Sequence, residues 1–143
     1  MVLNKRGELE YYTFESLENT KIAGHCFTTR MGGVSEGNLG TLNLGFSRGD
    51  KKENVDKNFD IICAALGVKK EDCVTLRQVH STKIVKADES LKGMGFRDDI
   101  ERIEADGLVT DKKGIVLVTF HADCVPLYFV DTKNKAIGMA HSG

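Results

Sequence analysis

The sequence predicts an α/β fold of the α+β, mixed-sheet kind, a layered domain in which strands outnumber helices. Three observations predict it. Seven short runs are rich in β-branched residues, a single segment keeps a sustained helical period, and 143 residues suffice for one core. A chain of about 150 residues buries roughly 70% of its unfolded surface, so one domain over 1–143 needs no disulfide or metal staple to fold. With one proline and no internal repeat, nothing marks a linker on which to divide it.

The first strand run is 24–28, G-H-C-F-T. Residues 32–49 follow with six of the chain's fifteen glycines, a backbone free to approach a ligand closely. Neither G-x-x-x-x-G-K-[ST] nor a strand-flanked G-x-G-x-x-G occurs there, so ATP and NAD binding by those routes are excluded. Arg30 and Arg48 flank the loop, and their planar forks suit phosphate or carboxylate. A helix over 51–66 is opened by Asp50, with Glu53 three residues on as an Asp-led capping box. Its buried stripe is Val55, Phe59, Ile62 and Leu66, and Gly67 ends it in the left-handed conformation. Arg48 lies just before that helix, where the dipole favours an anion.

The remaining strand runs are 73–79, 83–87, 108–110, 115–120, 125–130 and 136–140, and the polar stretch between Ala87 and Asp106 reads as a surface excursion. Runs 115–120 and 125–130 bracket His121-Ala122-Asp123-Cys124, a polar break in what should be buried sheet. A four-residue loop D-T-K-N at 131–134 would set Val130 opposite Lys135 and Cys124 opposite His141. Opposed residues share a sheet face with Cβ atoms about 5 Å apart, close enough to hold one metal ion between a thiolate and an imidazole. Pro126 places that strand at an edge or beside a bulge. His80, at the end of V-T-L-R-Q-V-H, is the third candidate ligand, and three protein ligands with one open position is the catalytic zinc arrangement.

Composition excludes other classes. Twenty Lys plus Arg balance 21 Asp plus Glu, a net charge of −1, which gives no electrostatic footprint for nucleic acid or an anionic membrane. The longest apolar runs, 115–118 and 125–130, fall well short of the roughly 20 residues of a membrane helix. The first ten residues mix both charge signs and have no apolar signal stretch, so the expected compartment is the cytoplasm. Cys26, Cys63, Cys73 and Cys124 form no C-x-x-C pair and are expected as reduced thiols.

In order, the strings T-T-R-M-G-G-V-S, N-L-G, R-Q-V-H-S, E-A-D-G-L-V-T, H-A-D-C-V-P and A-H-S-G resemble the polyphenol oxidase or laccase-domain family, whose members are zinc-dependent purine nucleoside phosphorylases. The resemblance runs from Gly24 to Gly143 and implies the family's fold in truncated form, the chain standing as the N-terminal half of the catalytic domain. It implies zinc held by His80, Cys124 and His141. Copper suits the same donors, since it exceeds zinc in raw affinity. The implied reactions are phosphorolysis of adenosine, inosine, guanosine and methylthioadenosine, together with adenosine deamination. Phosphorolysis calls for an anion cradle, for which Arg48 and the glycine-rich loop are the candidates. Four histidines without an H-x-H pair exclude a trinuclear copper cluster and multicopper laccase chemistry. Two rivals use the same residues differently: a metal-independent cysteine hydrolase with Cys124 as nucleophile and His80 or His141 as base, and an inactive half-domain exposing apolar surface.

Overall fold

Gly7, at a φ of 61°, turns the chain through a two-residue loop that joins β1 (Val2–Arg6) to β2 (Leu9–Thr13). This is a computed structural model describing residues 1–143, in which the chain forms two units, Met1–Lys69 and Lys70–Gly143. The hairpin falls in a segment where the sequence suggested no strand. Its signal was the alternation L-E-Y-Y-T, which buries Leu9, Tyr11 and Thr13, and the charges around it masked that pattern. β3 is only Phe27–Thr28, shorter than the expected run, and completes an antiparallel sheet in the order β1-β2-β3.

Between β2 and β3 lies α1 (Glu15–Glu18), whose preceding residue, Phe14, donates its backbone N–H to His25 Nε2 at 2.8 Å. The ring also stacks on Phe14, and burial lowers the His25 pKa, with Glu18 opposing weakly. An Nε2 that accepts must be unprotonated, so the folded chain takes up this proton less readily than the unfolded one. The stabilisation is therefore complete above the ordinary histidine pKa near 6.5 and is lost as pH falls below it. Thermal unfolding is expected at lower temperature near pH 5 than near pH 7, with a flatter dependence in His25→Gln, whose amide oxygen accepts at either pH. Equal pH slopes for the two chains would refute this account.

The helix is α2 (Lys52–Leu66), and its stripe is as expected: Val55, Phe59 and Ile62 are buried and Leu66 is half-buried. Gly67, at a φ of 68°, terminates it. The Asp-led capping box is corrected, because the residue that precedes the helix is Lys51 and no side chain caps it. Asp50 instead accepts from Ser35 Oγ, Asn43 Nδ2, Asn54 Nδ2 and the Lys51 N–H, and these donors hold its carboxyl down at about 2. The fully buried Asn58 accepts from the Val34 N–H and donates to Ser35 Oγ and to the Asn43 carbonyl. The glycine-rich loop is thus stitched to α2 by side-chain amides, while Leu9, Tyr11, Leu42 and Ile62 form the core of this unit.

In the second unit, β4 (Cys73–Thr75) pairs in parallel with β7 (Val116–Val118). A separate four-stranded sheet has the order β5-β6-β9-β8, from Ile84–Lys86, Gly107–Thr110, Ala136–Ser142 and Val125–Asp131. The core comprises Val74, Leu76, Ala87, Met94, Ala105, Leu108, Ile115 and Leu117. Met94 corrects the expected surface excursion: its side chain is fully buried, and its carbonyl accepts from the N–H and hydroxyl of Thr75, both at 3.0 Å. As expected of a strand with proline, β8 is an edge. On one face of this sheet Ile84, Val109, Val125, Leu127 and Phe129 stand exposed, with Gly107, Gly138 and Ala140 between them along the rungs.

Candidate metal centre

Two connections and one strand of the second unit meet at one place. His80 follows β4, Cys124 lies between β7 and β8, and His141 is in β9, one ligand atom from each falling within 4.8 Å of the others. Cys124 Sγ is 3.7 Å from His80 Nε2, and the rings of His80 and His141 meet edge to face at 4.7 Å. Tetrahedral zinc with bonds near 2.3 Å to sulfur and about 2.0 Å to nitrogen sets those ligand atoms about 3.5 Å apart, so small side-chain adjustments would close the set. One thiolate and two imidazoles suit a borderline-soft divalent ion, and these residues therefore fit the implied zinc.

The hairpin that bears His141 and follows directly on Cys124 is not in the expected register. Asp131 pairs with Ala136 and Pro126 with His141, so the loop is 132–135 with Lys135 at a φ of 53°, and Cys124 does not lie directly opposite His141. Lys135 closes this loop in the left-handed conformation, where the expected loop of the same length, 131–134, had made it the first strand residue. The displacement is two residues, which conserves the face, whereas a slip of one would have separated the two side chains.

Sequence reasoning passed over two residues. Asp106, whose side chain is 2% exposed, immediately precedes β6 and extends its ladder to stand across from His141, whose N–H bonds the Asp106 carbonyl at 2.8 Å. Asp106 Oδ1 accepts from His141 Nδ1 at 2.8 Å and from the His80 N–H at 3.0 Å. Oδ2 accepts from the N–H groups of Val79 and Ser81 and from the Ser81 hydroxyl. Burial pushes this carboxyl up, but the donors, Ser81 and His141 foremost, hold it well below the usual carboxylate range. Gln78 binds both backbone groups of Phe120, accepting from its N–H at 2.7 Å and donating to its carbonyl at 2.8 Å. That amide ties the segment leading to His80 to the segment leading to Cys124. Both residues stood inside quoted motifs, E-A-D-G and R-Q-V-H, and their available signal was a buried polar type at a strand margin.

His80 itself has a φ of 59°, a left-handed backbone that costs a residue with a Cβ about 1 kcal/mol. His121 packs against His141 at 5.3 Å between ring centres and bonds Thr119, and burial lowers its pKa, with the neighbouring His141 adding to this. Arg48 is exposed and is carried by the first unit, its side chain lying over Gly45. Arg30 serves the loop itself, donating to the carbonyls of Gly40 and Asn38. None of the four cysteines is in a disulfide, and burial pushes the Cys26 thiol up to about 11.

The profile of the family described as multi-copper polyphenol oxidoreductase laccase matches residues 24–143. The purine nucleoside phosphorylase YlmD of Geobacillus stearothermophilus is 38% identical over 117 residues, 81% of this chain and 43% of that protein. A purine nucleoside phosphorylase of Deinococcus radiodurans is 40% identical over 119 residues, 83% of this chain and 43% of its own length. Among solved structures, Bacillus licheniformis YfiH, titled a hypothetical protein, superposes with a TM-score of 0.86 at 30% identity, covering 99% of this chain and 52% of that one. The Geobacillus YlmD crystal structure superposes with a TM-score of 0.77, covering 81% and 43%. The chain spans about half the length of the relatives it matches.

Proposed function

The chain belongs to the multi-copper polyphenol oxidoreductase laccase family, and from that premise we propose that it is the N-terminal half of a zinc-dependent purine nucleoside phosphorylase and carries that enzyme's metal centre. The observation that carries this reading is the convergence of His80, Cys124 and His141, with Asp106 behind two of them. His80, Cys124 and His141 would hold the zinc, with copper as the competing ion. When bound, zinc supplies Lewis acidity to a substrate oxygen or to water, as phosphorolysis of purine nucleosides and deamination of adenosine would require. The residues of this chain do the rest. Asp106 and Gln78 fix the three ligand segments before any metal arrives, so little reorganisation accompanies loading. Arg48, with the glycine-rich loop, is the candidate to bind and orient phosphate in the completed domain.

The expected results are one zinc per chain by mass spectrometry, and inosine cleavage to hypoxanthine and ribose 1-phosphate that requires phosphate. Turnover without phosphate would overturn the assignment, and an unchanged phosphate KM in Arg48→Ala would remove Arg48 from it. Two other readings each rest on one observation. The 3.7 Å approach of Cys124 to His80 supports a metal-independent cysteine hydrolase, which selective alkylation of Cys124 in a metal-free, hydrolytically active chain would establish. The exposed apolar sheet face supports a half-domain that is inactive alone, which cleavage at the rate of a full-length relative would refute.

A further inference from the structure

Four of the five contacts on the Asp106 carboxylate come from fixed N–H or O–H donors, which leaves the carboxylate no room for a proton of its own, and the fifth is the ring of His141. Oδ2 takes the Val79 N–H at 3.1 Å, the Ser81 N–H at 2.7 Å and the Ser81 hydroxyl at 3.1 Å. Oδ1 takes the His80 N–H at 3.0 Å and faces His141 Nδ1 at 2.8 Å. An ionised carboxylate has no hydrogen to give, so the bond to His141 exists only if Nδ1 carries the proton. The His141 side chain is 6% exposed, which leaves it little water as an alternative partner. Its other nitrogen, Nε2, is then the one left with a free lone pair.

We propose that Asp106 is a positioning residue that sets the tautomer of His141, keeping its proton on Nδ1 so that Nε2 is free to bind a metal. The proposal rests on the metal reading of His80, Cys124 and His141 and deepens it. The same Oδ1 holds the backbone of His80 in its left-handed turn, so one oxygen fixes the ring of one ligand and the main chain of another. Carboxylates behind metal-binding histidines act in this way generally, orienting the ring and raising its basicity.

Asp106→Asn separates this role from packing, because it conserves shape while turning one acceptor oxygen into an NH2 donor. The amide oxygen is best spent on the side with three donors, those of Val79 and Ser81, which turns the NH2 toward His141. A donor facing Nδ1 requires that nitrogen to accept, and the proton moves to Nε2, the nitrogen a metal needs. The measurement is long-range nitrogen–proton correlation NMR on metal-free protein, paired with zinc affinity by chelator competition. The unaltered chain is expected to show His141 protonated at Nδ1, and Asp106→Asn at Nε2, with a zinc Kd weaker by about 10- to 100-fold. Ser81→Ala removes one donor, the hydroxyl, from the same carboxylate without touching His141, and is expected to leave the tautomer in place.

An Nε2–H in the unaltered chain, an unchanged tautomer in Asp106→Asn, an unchanged zinc Kd, or a switch in Ser81→Ala would each overturn the proposal. If Asp106→Asn does not fold, the tautomer of the unaltered chain still decides it. A tautomer that switches as described in a chain that binds no zinc would sustain the role of Asp106 and refute the metal reading, so the two fail separately.

Discussion

Cys124→Ser is expected to weaken zinc binding on the order of 100- to 1,000-fold while leaving the thermal unfolding of the metal-free chain almost unchanged. A complete structural zinc site contributes about 10–16 kcal/mol, which is roughly 2.5–4 kcal/mol for each of four ligands, and every 1.4 kcal/mol is a factor of ten. Serine keeps the size of the side chain but offers a hydroxyl that stays protonated, where the thiol can ionise and bind as a soft anion. Stability should be spared because Cys124 is half-buried in a connection and does not belong to the core of its unit. Chelator competition reads the first quantity and calorimetry of the metal-free protein the second. Zinc affinity within a few-fold of the unaltered chain would remove Cys124 from the site.

Gly32→Ala is expected to destabilise the first unit by about 3–4 kcal/mol, combining a left-handed backbone that alanine disfavours with a steric overlap that cannot be relieved. Gly32 has a φ of 92°, and a Cβ built on it would lie 2.2 Å from Leu9 Cα, 2.4 Å from Leu9 N and 2.5 Å from Glu8 C. Those atoms are main chain at the start of β2, and Leu9 is itself in the core, so neither side has freedom to move. Denaturant unfolding of Gly32→Ala against Gly37→Ala makes the comparison, because Gly37 has a similar backbone conformation, φ 59°, but open space at its Cβ. Equal losses would mean that backbone conformation, and not the Leu9 contact, sets the cost. The outcome also bears on why the loop is rich in glycine, since at this position the reason is close packing on a strand.

These two sites differ in how plainly the sequence announced them. The stripe of α2 and the later strand runs are readable because periods of four and two survive any tertiary context that buries one face. The hairpin of β1 and β2 was hidden because charged residues, Lys5, Arg6, Glu8 and Glu10, crowd its turn, where Gly7 is the marker. The pairing of β8 with β9 was displaced by two residues because a turn with a non-glycine at positive φ, Lys135, cannot be distinguished from its neighbours by composition. The convergence of His80, Cys124 and His141 was legible despite this, since face depends on parity and not on the absolute register. Asp106 and Asp50 were not legible as hubs, because their partners are backbone N–H groups and distant amides that no spacing rule encodes.

The left-handed turn at His80 separates what the fold asks of that position from what chemistry asks. For stability alone glycine would be the better residue there, relieving about 1 kcal/mol of backbone strain, and the exposed imidazole buries too little to repay it. Selection for a robust chain and selection for a ring nitrogen therefore pull in opposite directions at one residue. On the proposed metal reading, the left-handed turn is the backbone cost of presenting an imidazole at a position where the fold alone would take glycine.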